Sequence, residues 1–117
     1  MSYQQALEAA GATVHVFQEF GSYQGDWWAK VTFNGKTGWI HDYYGSCSGC
    51  DAFEAEFGWN DEENDDYQER LAKFGKEYLD EILDQETAEA KAAEALSWDL
   101  DAEEMVKFVK DNTLSQN

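Results

Sequence analysis

Proline is absent from all 117 residues. No X–Pro bond exists to take the cis form, so any site built on a cis-proline is excluded. Cysteine occurs only twice, at Cys47 and Cys50. Positive charge is scarce: 8 Lys+Arg stand against 25 Asp+Glu, a formal net charge of −17. A nucleic-acid binder needs a basic face to displace counterions from phosphates, and an anionic membrane attracts basic segments. Direct binding to either is therefore excluded. No run approaches the ~20 apolar residues of a membrane span. The start, Met1-Ser2-Tyr3-Gln4-Gln5, lacks the basic residues and apolar run of a secretory signal. The expected location is the cytoplasm.

What is present is a core-forming composition, 43% hydrophobic and 15% aromatic, too rich in large rings for a disordered acidic tail. The length fits one domain over 1–117. Its charge is uneven. Residues 1–50 hold Glu8, Glu19, Asp26 and Asp42 against Lys30 and Lys36, a net of −2; residues 51–117 hold the other 21 acids and six bases, a net of −15. Val, Thr, Gly and aromatics dominate the first part, and Ala, Glu, Asp and Leu the second. A β-rich half is expected to share one core with an acidic helical half.

Residues 3–10 are good helix formers, closed by Gly11. Thr13 to Phe20 reads as a strand. Trp27 to Phe33 and Lys36 to Tyr43 read as two strands around Asn34-Gly35, the strongest short hairpin signal, since both residues tolerate the positive φ of a type I′ turn. That turn sets Phe33 opposite Lys36, Val31 opposite Gly38 and Ala29 opposite Ile40. Trp27, Ala29, Val31, Phe33 and Ile40 then share one face, the expected core. Trp28, Lys30, Thr32, Thr37, Trp39 and His41 share the other, with Lys30 opposite Trp39 and Trp28 opposite His41. Helices from the second half could cover the two Trp. Alternatively, Trp28 and Trp39 form an exposed platform that anchors a partner.

Trp28-Ala29-Lys30-Val31-Thr32-Phe33-Asn34-Gly35-Lys36-Thr37-Gly38-Trp39-Ile40-His41 resembles the end of a bacterial SH3-like domain. The resemblance covers about residues 13–44. It implies a small, strongly bent β-sheet and a binding role rather than catalysis. The block from Tyr44 to Phe57 is similar to small tailed-phage proteins, which implies a host-directed inhibitor.

Cys47-Ser48-Gly49-Cys50 follows a strand and precedes an expected helix, Asp51 to Phe57. A helix N-terminus lowers a thiol pKa, so this is the order found in thioredoxin-like sites. The hairpin context and the missing proline weigh against that chemistry. Zinc is the one cofactor the motif leaves open: Cys47 and Cys50 supply two of four ligands, with His41, His15 or Asp51 to complete the set. The plainer reading is a tight turn with two small thiols. No other cofactor is implied.

Asn60 to Asp66 holds five acids in seven residues, Asp61, Glu62, Glu63, Asp65 and Asp66, but no Gly for a calcium-loop turn. Asp66 to Asp84 reads as an amphipathic helix on the stripe Tyr67, Leu71, Phe74, Tyr78 and Ile82. Gly75 inside it suggests close approach of another element. Glu69, Glu77, Asp80, Glu81 and Asp84 lie outward. Glu77, Glu81 and Asp84 are expected on one helical face, about 5–6 Å apart. Gln85 to Leu96 reads as a second helix. Asp101 to Glu104 fits a capping box with a Leu100–Met105 staple before a last helix to about Lys110. No catalytic constellation emerges: Ser46 and Ser48 lack a nucleophile-elbow context, and His15 and His41 show no evident partners.

The expected fold is α+β: a three-stranded antiparallel, partly SH3-like sheet packed with three to four helices. The expected function is a non-enzymatic acidic inhibitor of a basic nucleic-acid-binding protein, a DNA mimic of phage-encoded, anti-CRISPR or other anti-defence type acting in the host cytoplasm. Double-stranded DNA presents one charge per ~1.7 Å of axis, a field that clustered carboxylates can imitate. Glu62, Glu63, Asp65, Asp66, Glu69, Glu77, Asp80, Glu81 and Asp84 would carry the charge. The alternatives are an SH3-like binding module using Trp28, Trp39 and His41, a small zinc protein, or acidity that only confers solubility.

Overall fold

The structure is a computed structural model that describes residues 2–21, 25–45, 66–97 and 101–112. Helix α1 (Ser2–Ala9) leads into strands β1 (Thr13–Gly21), β2 (Gly25–Phe33) and β3 (Lys36–Tyr44). Helices α2 (Tyr67–Leu79), α3 (Gln85–Glu94) and α4 (Ala102–Asp111) follow, with a 3₁₀ turn at Ala95–Ser97. The fold is α+β. The sheet is an antiparallel meander in the order β1-β2-β3. Helix α1 closes with Ala12 N–H donating to the Leu7 carbonyl at 3.1 Å and Gly11 N–H to that of Glu8 at 3.0 Å, the paired bonds of a Schellman motif.

The β2–β3 register is the one the Asn-Gly turn dictates. Asn34 and Gly35 have φ of 51° and 79°, and Phe33 pairs with Lys36, Lys30 with Trp39 and Trp28 with His41. Strand β1 pairs with β2 through a bulge between Val14 and Val16. The bulge turns His15 toward Thr32, with Nε2 and Oγ1 at 2.7 Å.

Two cores form, one on each side of the sheet. The first joins Tyr3 and Leu7 of α1 and Leu71 and Leu79 of α2 to Trp27, Ala29, Val31 and Ile40. Tyr3 and Phe17 stack on Trp27 at 4.9 and 5.5 Å between ring centroids. Gly75 is where α1 meets α2: a Cβ there would fall on the Ala6 carbonyl. The second joins Phe20, Trp28 and Trp39 to Ala88, Ala92, Ala95, Ala102, Met105 and Val109. Helix–sheet–helix layering thus buries alternate residues of β2 on opposite sides.

Two expectations about the helices need correction. Helix α2 stops at Leu79 instead of reaching Asp84. The chain then extends so that Leu83 can pair with the β3 edge: Trp39 N–H donates to the Leu83 carbonyl at 2.7 Å, and Leu83 N–H to that of Trp39 at 2.8 Å. Ile82 still reaches the first core, but from this extended segment. An unpaired strand edge thus outweighs the helical periodicity. Asp84 becomes the N-cap of α3, accepting from Thr87 N–H at 2.7 Å. At α4, Asp101 holds the N-cap position without a capping side-chain bond, because its ψ of 0° is not the extended conformation a cap requires. Leu100 lies outside the described residues.

Candidate functional site

The second face of the sheet concentrates the unusual chemistry. Asp26 and His41 lie diagonally across β2 and β3, and His41 Nε2 meets Asp26 Oδ2 at 2.5 Å. Their side chains are 9% and 4% exposed. His41 Nδ1 is buried without a hydrogen-bond partner. The His41 ring lies 4.5 Å from Trp28 and 5.0 Å from Tyr43. Both histidines therefore have partners, contrary to expectation. The hairpin register contained the signal for one of them: Asp26 falls opposite Tyr43, placing it diagonal to His41 on the same face.

Lys30 is buried in the middle of this face at 1% exposure. Its Nζ lies 5.9 Å from the Trp39 ring centroid and donates to the Asn112 carbonyl at 2.6 Å. Asn112 closes α4, so the cation sits at the negative end of that helix. Burial still lowers the Lys30 pKa below its ordinary value. Tyr44 shifts upward, first from burial and then from the negative charges of Glu19, Asp101 and Asp26.

Trp28 and Trp39 are 1% and 0% exposed, so they do not form an exposed platform. Small alanines on α3 and α4 let those helices close over them. Trp39 Nε1 donates to Gln85 Oε1 at 2.9 Å, and Trp28 Nε1 reaches Met105 Sδ at 3.3 Å. These contacts are what a structural indole requires. Trp28 and His41 nevertheless line a small cleft.

The acids are arranged differently. Asp66, Glu69, Glu77, Asp80, Glu81 and Asp84 are all exposed. They do not share one helical face, because α2 ends between Glu77 and Asp80. The connection between α2 and α3 instead carries Asp80, Glu81 and Asp84, flanked by Glu77 at the end of α2 and by Glu86 of α3, which sequence reasoning left out of the site. Residues 77–86 hold these five acids and no base. Bonds from Thr87 chiefly hold the Asp84 carboxyl below its usual range, with Lys36 contributing. Lys91 borders the cleft shared by Glu77 and Glu81. Earlier on α2, Arg70, Lys73 and Lys76 interrupt the acids.

The chain matches no protein-family model, no curated protein and no solved structure. Its chemistry must be judged from its own geometry. Glu62, Glu63 and Asp65 lie outside the described residues, as do Cys47, Cys50 and the expected helix Asp51 to Phe57. The third zinc candidate, His41, directs Nε2 at Asp26. Among the described residues no group of three or more His, Cys, Asp or Glu comes together to hold a metal ion. None of the described helices is long and apolar enough to cross a membrane.

Proposed function

We propose that this protein is a non-enzymatic binding protein of inhibitor type, which occupies the basic nucleic-acid-binding surface of another protein. The observation that carries this is the ridge from Glu77 to Glu86, with five exposed carboxylates and no base. The ridge is held in place: Leu83 is paired to β3, Ile82 is buried in the first core, and Asp84 caps α3. Pre-set charges lose less conformational freedom on binding than charges on a loose segment. Lys36 and Lys91 stand at the margins and reduce the field only in part. Its resemblance to small tailed-phage proteins favours a host-directed target of the anti-defence kind, including anti-CRISPR action. The rival SH3-like reading loses its anchors, since Trp28 and Trp39 are buried.

The test compares the wild-type chain with a variant carrying Glu77→Gln, Asp80→Asn, Glu81→Gln and Glu86→Gln. Asp84 is left alone because it caps α3. Each is immobilised and exposed to nuclease-treated host lysate at low and high salt. The wild type is expected to retain a nucleic-acid-binding protein at low salt and release it at high salt, because a Debye length of ~8 Å at physiological ionic strength shortens further. The variant is expected to retain none. Equal capture by both chains, or capture indifferent to salt, would overturn the proposal.

A further inference from the structure

Between the second face of the sheet and the helices that cover it lies a cleft of about 110 Å³. One water needs only ~10–15 Å³, so the space admits a larger group. Asp26, Trp28, His41, Tyr43, Lys91 and Glu94 contribute to its walls. Among the described residues lining it, His41 alone has a buried polar side-chain atom without a hydrogen-bond partner, its Nδ1. A ring nitrogen facing a carboxylate carries the proton, so Nε2–H donates to Asp26. In the neutral ring Nδ1 then offers a lone pair with no donor to fill it. Among the described residues of the lining, Asp26 and Glu94 are acidic and Lys91 is basic. Trp28, His41 and Tyr43 supply rings to its walls. Tyr43 is 59% exposed, one of two large hydrophobic side chains so exposed among the described residues. It stands edge-on to His41 at 5.0 Å.

We propose that this cleft binds a guanidinium group. A guanidinium carries N–H donors and no acceptor, which suits both carboxylates and the unpaired Nδ1. It is planar and weakly hydrated, so it stacks on aromatic rings where an ammonium prefers water. The proposal does not depend on the acidic ridge. The group could belong to a free small molecule or to an arginine side chain of a partner protein; the recognition chemistry is the same.

The test is a titration of the full chain followed through the His41 imidazole resonances. The probes are arginine amide, butylamine and acetate, and a short end-blocked peptide containing a single arginine. Arginine amide is expected to shift His41 saturably and to bind more tightly than butylamine, with no response to acetate. Tyr43→Ala, at an exposed position, is expected to weaken binding roughly twofold to fivefold, the size of one exposed cation–π contact. Asp26→Asn is expected to weaken it further. Tighter binding of the peptide than of arginine amide assigns the site to a protein arginine, and equal binding to a free guanidine compound. Absence of a saturable shift would overturn the proposal, as would a response to acetate in place of arginine amide. Binding unchanged by Tyr43→Ala would do the same.

Discussion

The two sides of this sheet are built from alternate residues of the same strands, yet they solve different problems. Trp27, Ala29, Val31 and Ile40 face α1 and α2 in a core of apolar side chains and stacked rings. Asp26, Trp28, Lys30, Trp39 and His41 face α3 and α4, where two Trp share space with a buried lysine and a carboxylate–imidazole pair. The first side is a close-packed apolar core, apart from Trp27 Nε1, which is buried without a hydrogen-bond partner. The second keeps polar groups that need partners, and those of Trp28, Lys30 and Trp39 come from distant parts of the chain. A face can thus bury its indoles without being a purely apolar core.

The largest test of that contrast is the paired removal of two indoles. Trp27→Ala is expected to cost ~3–5 kcal/mol in urea unfolding, the range for deleting a buried aromatic. Trp28→Ala is expected to cost less, because Trp28 borders the cleft, where water can replace part of the ring. A greater loss for Trp28→Ala would break the comparison. Next in size is Gly75→Ala, expected to cost about 1–3 kcal/mol by forcing α1 away from α2. An unchanged midpoint would show that the helices meet less closely than described.

Asp26→Ala is expected to cost about 1–3 kcal/mol, since it leaves His41 Nε2 buried without its acceptor. The same unfolding measurement checks it. The smallest effect is a pH dependence. Lys30 has a folded pKa lowered from 10.5 by burial. Between the folded value and 10.5 the unfolded chain binds more protons, so stability rises with pH across that window. Wild-type stability is therefore expected to rise relative to Lys30→Met as the solution approaches pH 10.5. A gap independent of pH would mean that Lys30 is effectively solvated.

Much of this was legible in residues 13–44. Asn34-Gly35 dictates the register, the register dictates the faces, and Lys30 over Trp39 follows. What covers the Trp face was less legible. Beside Met105 and Val109, the covering surface is made of Ala88, Ala92, Ala95 and Ala102, and alanine signals helix without saying what the helix packs against. The end of α2 was hidden because Leu83 is drawn out of helical periodicity by a strand edge distant in sequence. The acids themselves were evident, but their grouping was not. The Asp26–His41 pair lay one diagonal step beyond the register, at the end of the hairpin away from its turn.

The most direct measurement of the central claim is a competition. The protein captured at low salt is loaded with its labelled nucleic acid, and this chain is titrated in while the label is followed. Displacement to completion is expected, with a midpoint that rises with salt and no displacement by the Glu77→Gln, Asp80→Asn, Glu81→Gln, Glu86→Gln variant. A stable complex holding nucleic acid and this chain together would contradict the claim.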